Sequence, residues 1–294
     1  MDSGSPLLPP ELERQIFETA VDLHPEIIPN LLLVAARVLE WIEPLRYRTF
    51  TLAGPPETCH RFHVLARAIA SKPAQFIRDN VWHVFADWDF GQRTLDTFIP
   101  FCTGIKSLVI FNPYPGMLSQ LETARPRHLA GPIESLFHDH VHHTSRGVDL
   151  TLPLFSALTH LDVFGTIYLE SSSWTSWSSL ALLPTLTHLA VIEISYRAAA
   201  AALAICPKLH VIISMHSDAR THSHLVSNSV EDIDDSDPRF LSMVLASNDY
   251  AADWEAGVQG GIDFWARADA FVGMRRRGEV EPKSRYWIEE RDGV

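Results

Sequence analysis

The densest group of potential metal ligands in this 294-residue chain is His138-Asp139-His140-Val141-His142-His143. Zinc takes imidazole and carboxylate ligands, but a zinc site draws three or four of them from separate elements. This run is one short segment, and only His222 and His224 stand elsewhere as partners, on another loop. It reads as a solvated loop, with no metal and no other cofactor expected. A histidine-dependent metalloenzyme is the most distant reading. More regular are His83, His128, His160 and His188, each third in a segment of leucine-x-x-leucine type, with Ser107 and Val211 at the same place in two further segments. If those segments are neighbouring strands about 4.8 Å apart, His128, His160 and His188 form a row of imidazoles. Such a row either recognises an acidic or hydroxyl-bearing ligand, gaining charge below about pH 6.5, or is a polar ladder without one.

Other chemistry is not signposted. The chain contains no G-x-G-x-x-G, P-loop, H-E-x-x-H or G-x-S-x-G, and the acidic run 231–237 lacks the glycine and closing glutamate of a calcium loop. Cys59, Cys102 and Cys206 are widely spaced and form no C-x-x-C, a usage that fits a reducing compartment. The protein is expected to be no enzyme. With 24 Lys+Arg against 36 Asp+Glu, a net charge of −12 argues against nucleic acid and acidic membrane as partners. The N-terminus has no secretory pattern and no apolar run approaches the roughly 20 residues of a membrane span, so a cytoplasmic or nuclear location is expected.

The elements that must position the histidines are an α/β arrangement in three zones. Residues 1–50 form a short helical head: one helix from Pro9-Pro10 with Leu12, Ile16, Ala20 and Leu23 at helical spacing, a second from Pro29 through Val38, and a third carrying Trp41, Ile42 and Leu45. Tyr47 to Leu52 then alternates like a strand. Residues 51–245 contain leucine-x-x-leucine-like segments starting at 81, 105, 126, 158, 186 and 209, with a last copy from Phe240. Those intervals are close to leucine-rich repeats and predict a curved parallel solenoid of strand plus helix or turn. Helices are expected over 56–70, 118–124, 133–137 and 196–205. Strand alternation sends Val84, Ala86, Leu108, Ile110, Leu161, Val163, Leu189 and Val191 inward. It leaves the histidine row with Phe85, Val109, Phe111, Asp162, Phe164, Ile192, Ile213 and Met215 on the other, concave face. That face is either an open protein-binding surface, with Phe111, His128, His160, Asp162, Phe164, His188 and Ile192 contacting a target, or is filled by the chain itself, for example by its aromatic tail. The stretch 218–237 reads as a solvated loop. Residues 246–294 are expected to cap the terminal edge, with Phe264, Ala268, Phe271 and Val272 on one face of a helix ending at Arg275-Arg276-Arg277.

In the head, Leu8-Pro9-Pro10-Glu11-Leu12-Glu13-Arg14-Gln15-Ile16-Phe17, then Leu32-Leu33-Val34-Ala35-Ala36-Arg37 and Glu43-Pro44-Leu45-Arg46-Tyr47-Arg48, resemble an F-box. The whole chain is similar to F-box-like proteins with leucine-rich-repeat-like regions, a family numerous in fungi. The resemblance implies a head that docks on the Skp-type adaptor of a cullin (SCF-type) ubiquitin ligase, and repeats that hold a target protein. Leu8, Pro9, Leu12, Ile16, Phe17 and Val34 are the implied adaptor-binding residues. Two alternatives stand beside it: a stand-alone interaction scaffold with a degenerate F-box, and a head whose apolar patch packs on the first repeat.

Overall fold

The structure, a computed structural model, describes residues 8–139, 144–145, 147–165, 167, 177–218, 237–245, 249–289 and 292–293. It is α/β, with ten α-helices among these residues and an eight-stranded, all-parallel sheet. The strands are β1 (Thr49–Leu52), β2 (His83–Ala86), β3 (Ser107–Ile110), β4 (His128–Gly131), β7 (His160–Val163), β8 (His188–Ile192), β9 (Val211–His216) and β10 (Phe240–Val244). A small antiparallel ribbon, β5 (His138–Asp139) and β6 (Thr144–Ser145), stands apart from the sheet. The eight strands lie side by side in chain order. Parallel neighbours need a crossover between them, and among the described residues the connections from β1 to β9 carry short helices and 3₁₀ turns.

Each expected segment contributes one strand. His83, Ser107, His128, His160, His188 and Val211 are successive partners across the sheet. Because side chains alternate at every residue, this register fixes both faces at once. Val84, Ala86, Leu108, Ile110, Leu161, Val163, Leu189 and Val191 enter one core, which includes Phe90, Phe98, Phe155 and Trp177 from the crossovers. The expected helices lie at His60–Ser71, Leu118–Ala124 and Tyr196–Ile205, with a 3₁₀ turn at Ile133–Leu136. Ala74–Asn80 and Gln92–Leu95 are additional short helices.

The other face carries a second core, and the tail supplies its lid. Helices Tyr250–Val258 and Phe264–Arg277 place Tyr250, Trp254, Phe264, Trp265, Ala268, Phe271 and Val272 against Phe85, Val109, Ala130, Ala190, Val211, Ile213, Met215, Leu241 and Met243. A buried aromatic ring removes roughly 150–250 Å² from water, about 4–6 kcal/mol at ~25 cal/mol per Å² before ordering costs. Ala130 and Ala190 are the small residues that make room for those rings. Asp263 caps the second helix, accepting a hydrogen bond from Ala266 N–H (2.8 Å), and Gly278 ends it at φ 72°. The tail thus covers a face of the sheet, where the sequence suggested its terminal edge. The edge is met by a shorter piece: Ser242 N–H donates to the Tyr286 carbonyl (2.7 Å) and Ile288 N–H to that of Ser242 (3.2 Å).

The head departs from the expected three helices. The first spans Pro10–Leu23, but the second breaks into Ile28–Leu31 and Ala36–Ile42. Ala35 is extended (φ −162°, ψ 156°), which brings Val38 and Ile42 onto Val21 as a small separate core. Arg37 clamps Glu13 with two hydrogen bonds (3.1 and 2.7 Å), tying the last piece back to the first helix.

Candidate functional sites

Three groups of residues contain all the side chains expected to touch an adaptor or a target. The first is the histidine row, which the register assembles as expected and the tail covers. Ser107 Oγ lies 2.9 Å from His128 Nδ1, and His128 Nε2 lies 3.0 Å from Asp162 Oδ2. The carboxylate can only accept, so Nε2–H donates to it and, in the neutral ring, Nδ1 accepts the Ser107 hydroxyl proton. Both ends are closed by one helix: Trp254 Nε1–H donates to Ser107 Oγ (2.9 Å), and the Tyr250 hydroxyl donates to Asp162 Oδ2. Burial, followed by the adjacent Asp162 charge, pushes the Tyr250 phenol well above its ordinary range.

The order serine, histidine, aspartate is that of an activated nucleophile. Its surroundings are those of an interior staple. Ser107 is 4% exposed, Asp162 is fully buried, and the Trp254 indole stands where a substrate would have to approach. Ser107 N–H is already spent on the Trp82 carbonyl (3.0 Å), so it offers no donor to a developing oxyanion.

Further along the row, His160 and His188 stack with centroids 4.2 Å apart and planes 9° from parallel, and the Trp265 edge meets both. Thr159 Oγ1 sits 2.9 Å from His160 Nδ1, and Thr187 Oγ1 2.7 Å from His188 Nδ1. Asp269 on the tail reaches His188 Nε2 at 3.2 Å through both oxygens, and that hydrogen bond holds the Asp269 carboxyl below its usual range. Burial, then the neighbouring imidazoles, presses His160 down to about 3. The row is therefore interior, gripped by the tail from Trp254 to Asp269.

The second group lies at the C-terminal ends of β3, β7, β8 and β9. There Phe111, Phe164, Ile192, Met215, Leu245 and Tyr250 line an apolar cavity of about 70 Å³, with His216 and Ser217 at its polar side. Phe111 and Phe164 lie 4.9 Å apart, and the exposed Trp88 ring lies 4.8 Å from Phe111. Three of the seven residues expected to touch a target thus meet here, while His128, His160, Asp162 and His188 lie beneath the tail.

The third group is on the head. Leu8, Leu12, Ile16 and Val34 are 43%, 49%, 55% and 57% exposed, and Leu33 is more so. Pro9 is exposed beside them, while Phe17 is partly buried against Trp41 at 6.4 Å. Leu12 and Ile16, four residues apart, share one side of the first helix, and Leu8 precedes that helix. The head spends Val21, Val38 and Ile42 on its own core and leaves this stripe uncovered among the described residues.

No three His, Cys, Asp or Glu side chains converge as metal ligands among the described residues. Of the 138–143 cluster, His140, His142 and His143 lie outside those residues, as do His222, His224 and 231–236. No described helix is long and apolar enough to cross a membrane. The chain matches no protein-family model and no curated protein.

Proposed function

We propose that this chain is a substrate-recognition subunit of an SCF-type ubiquitin ligase, with an F-box-like head that docks a Skp-type adaptor and a leucine-rich-repeat-like sheet that carries a target protein. The observation that carries the reading is the exposure of the apolar residues Leu8, Leu12, Ile16 and Val34 on a head that has a core of its own. An amphipathic helix that keeps large apolar residues in water is a surface for a partner's apolar groove or helix. Target contact belongs to the strand ends around Phe111, Phe164 and Ile192, because the histidine face is occupied by the tail. The protein would act by proximity, raising the effective concentration of a target lysine near the charged ubiquitin carrier. No step of chemistry is assigned to its own side chains.

A second reading, a stand-alone interaction scaffold, is favoured by the break of the second head helix at 32–35. Binding of a purified Skp-type adaptor to the full-length protein separates the two. The ligase reading expects a complex that Ile16→Asp abolishes; absence of a complex with the unsubstituted protein rejects it.

A further inference from the structure

A cavity of about 570 Å³ lies where the head, the first edge of the sheet and the end of the Tyr250–Val258 helix meet. Arg46, Arg48, Arg61, His60, His83 and Trp82 are among its walls, against one lining carboxylate, Asp22. Arg61 is engaged by Glu255 at 3.5 Å, and that carboxylate also accepts from Thr51 Oγ1 (2.8 Å). Arg46 and Arg48 have no carboxylate partner among the described residues.

From this cavity a cationic stripe runs along the N-terminal ends of the strands. The residue preceding each of β1 to β4 is Arg48, Trp82, Lys106 and Arg127, and their backbones continue the ladder. Trp82 N–H donates to the Arg48 carbonyl (3.1 Å), Lys106 N–H to that of Trp82 (2.6 Å), and Arg127 N–H to that of Lys106 (2.8 Å). At about 4.8 Å per strand the stripe spans roughly 14 Å. Lys106 Nζ lies 3.2 Å and Arg48 Cζ 4.8 Å from the Trp82 ring centroid, so one indole holds two cations. No acidic side chain pairs with Lys106 or Arg127 among the described residues.

Concentrating like charge in this way costs stability unless something offsets it, and the titrating groups register the cost. Lys106 is lowered by desolvation and then by Arg127 and Arg48, and His83 is lowered to about 4 by desolvation, then by Lys106, His128 and Arg48. The buried Nδ1 of His83 has no hydrogen-bond partner. In a protein of net charge −12, Arg46 and Arg48 thus stand in the cavity wall, and Lys106 and Arg127 beyond it, without a carboxylate partner among the described residues.

We propose that this cavity, from whose wall the stripe runs on, binds a compact phosphate-bearing small molecule. Guanidinium groups match phosphate oxygens in geometry as well as charge. The volume falls within the roughly 300–1,000 Å³ of small-molecule sites. Three cations over 14 Å form too short a track for nucleic acid, whose binding rests on many phosphate contacts along a strand.

Calorimetric titration of the full-length protein at low salt tests this, with inorganic pyrophosphate, ADP and a polyglutamate peptide as the probes. Pyrophosphate or ADP is expected to bind with Kd below about 1 mM, more weakly as salt is raised. Arg46→Gln/Arg48→Gln should lose at least about tenfold, and Arg46→Gln alone, at an exposed position that leaves the fold intact, should lose about threefold. Arg197→Gln, exposed on the Tyr196–Ile205 helix, should change nothing. Tighter ADP than pyrophosphate would identify a nucleotide; equal or tighter pyrophosphate would identify the phosphate groups alone. The proposal is overturned if neither small anion binds, if the arginine variants bind as well as the unsubstituted protein, or if polyglutamate binds more tightly than both.

Discussion

Tyr250 and Trp254, one helical turn apart, grip opposite ends of a single hydrogen-bonded chain that crosses the neighbouring strands β3, β4 and β7 through Ser107, His128 and Asp162. The helix is thereby fixed on the sheet in one register, since a shift of one residue would unpair both ends within a buried layer. Trp254→Phe should cost more than about 1 kcal/mol, a typical net hydrogen bond together with the space the smaller ring leaves in the core. Tyr250→Phe, which leaves the ring in place, should cost about 2–3 kcal/mol, because it removes a donor from the buried Asp162, whose Oδ1 already has none. Urea denaturation measures both; equal losses under about 0.5 kcal/mol would contradict the staple.

Stability should fall in acid through the buried imidazoles. His160 and His83 are held neutral at about 3 and about 4 in the fold, against an ordinary value of 6.5. The unfolded chain therefore binds more protons below 6.5, and the contribution is fully present above that pH and lost progressively toward the folded values. By linkage the loss at pH 4.5 is on the order of 2 kcal/mol for each ring. Melting curves of the unsubstituted protein and of His160→Gln should show the variant with the flatter pH dependence between 6.5 and 4.5. Parallel curves would remove His160 as the cause.

The histidine row was legible because its spacing is local: a leucine pattern fixes which residues face together, and the register then follows from alternation. Its partners were not. Trp254 and Ser107 are 147 residues apart, and Tyr250 and Asp162 are 88 apart, and no periodicity reports on such a contact. The tail helix face Phe264, Ala268, Phe271 and Val272 was readable, but its destination was open. The smallness of Ala130 and Ala190 on the opposing face was the available hint. The cationic stripe went unread for another reason: Trp82, Lys106 and Arg127 stand second in their segments, between the apolar first position and the histidine position that drew the reading, and Arg48 lies before the first segment.

Gly131 at the end of β4 has φ 150°, and a Cβ there would lie 2.2 Å from the Ile110 carbonyl oxygen. Gly131→Ala should therefore cost more than about 2 kcal/mol, by strain and by spreading β3 from β4. A variant within 0.5 kcal/mol of the parent in urea would contradict that packing.

In the head, exposed and buried apolar residues should separate cleanly. Leu12→Asp and Ile16→Asp, both about half exposed, should leave Tm within about 1 °C, whereas Val21→Asp, buried with Val38 and Ile42, should unfold the head. Calorimetry of the three variants checks this. A large loss of stability in Ile16→Asp would mean that the stripe is packed and has no free face for an adaptor.

The placing of recognition at the head and the strand ends depends on the tail occupying the histidine face, and the imidazole of His160 reports on that occupation directly. Titration of its ring resonances by NMR in the full-length protein should show no protonation between pH 8 and pH 5, in keeping with a value of about 3. A midpoint near 6.5, the value of a ring in water, would show the face open and would contradict the account.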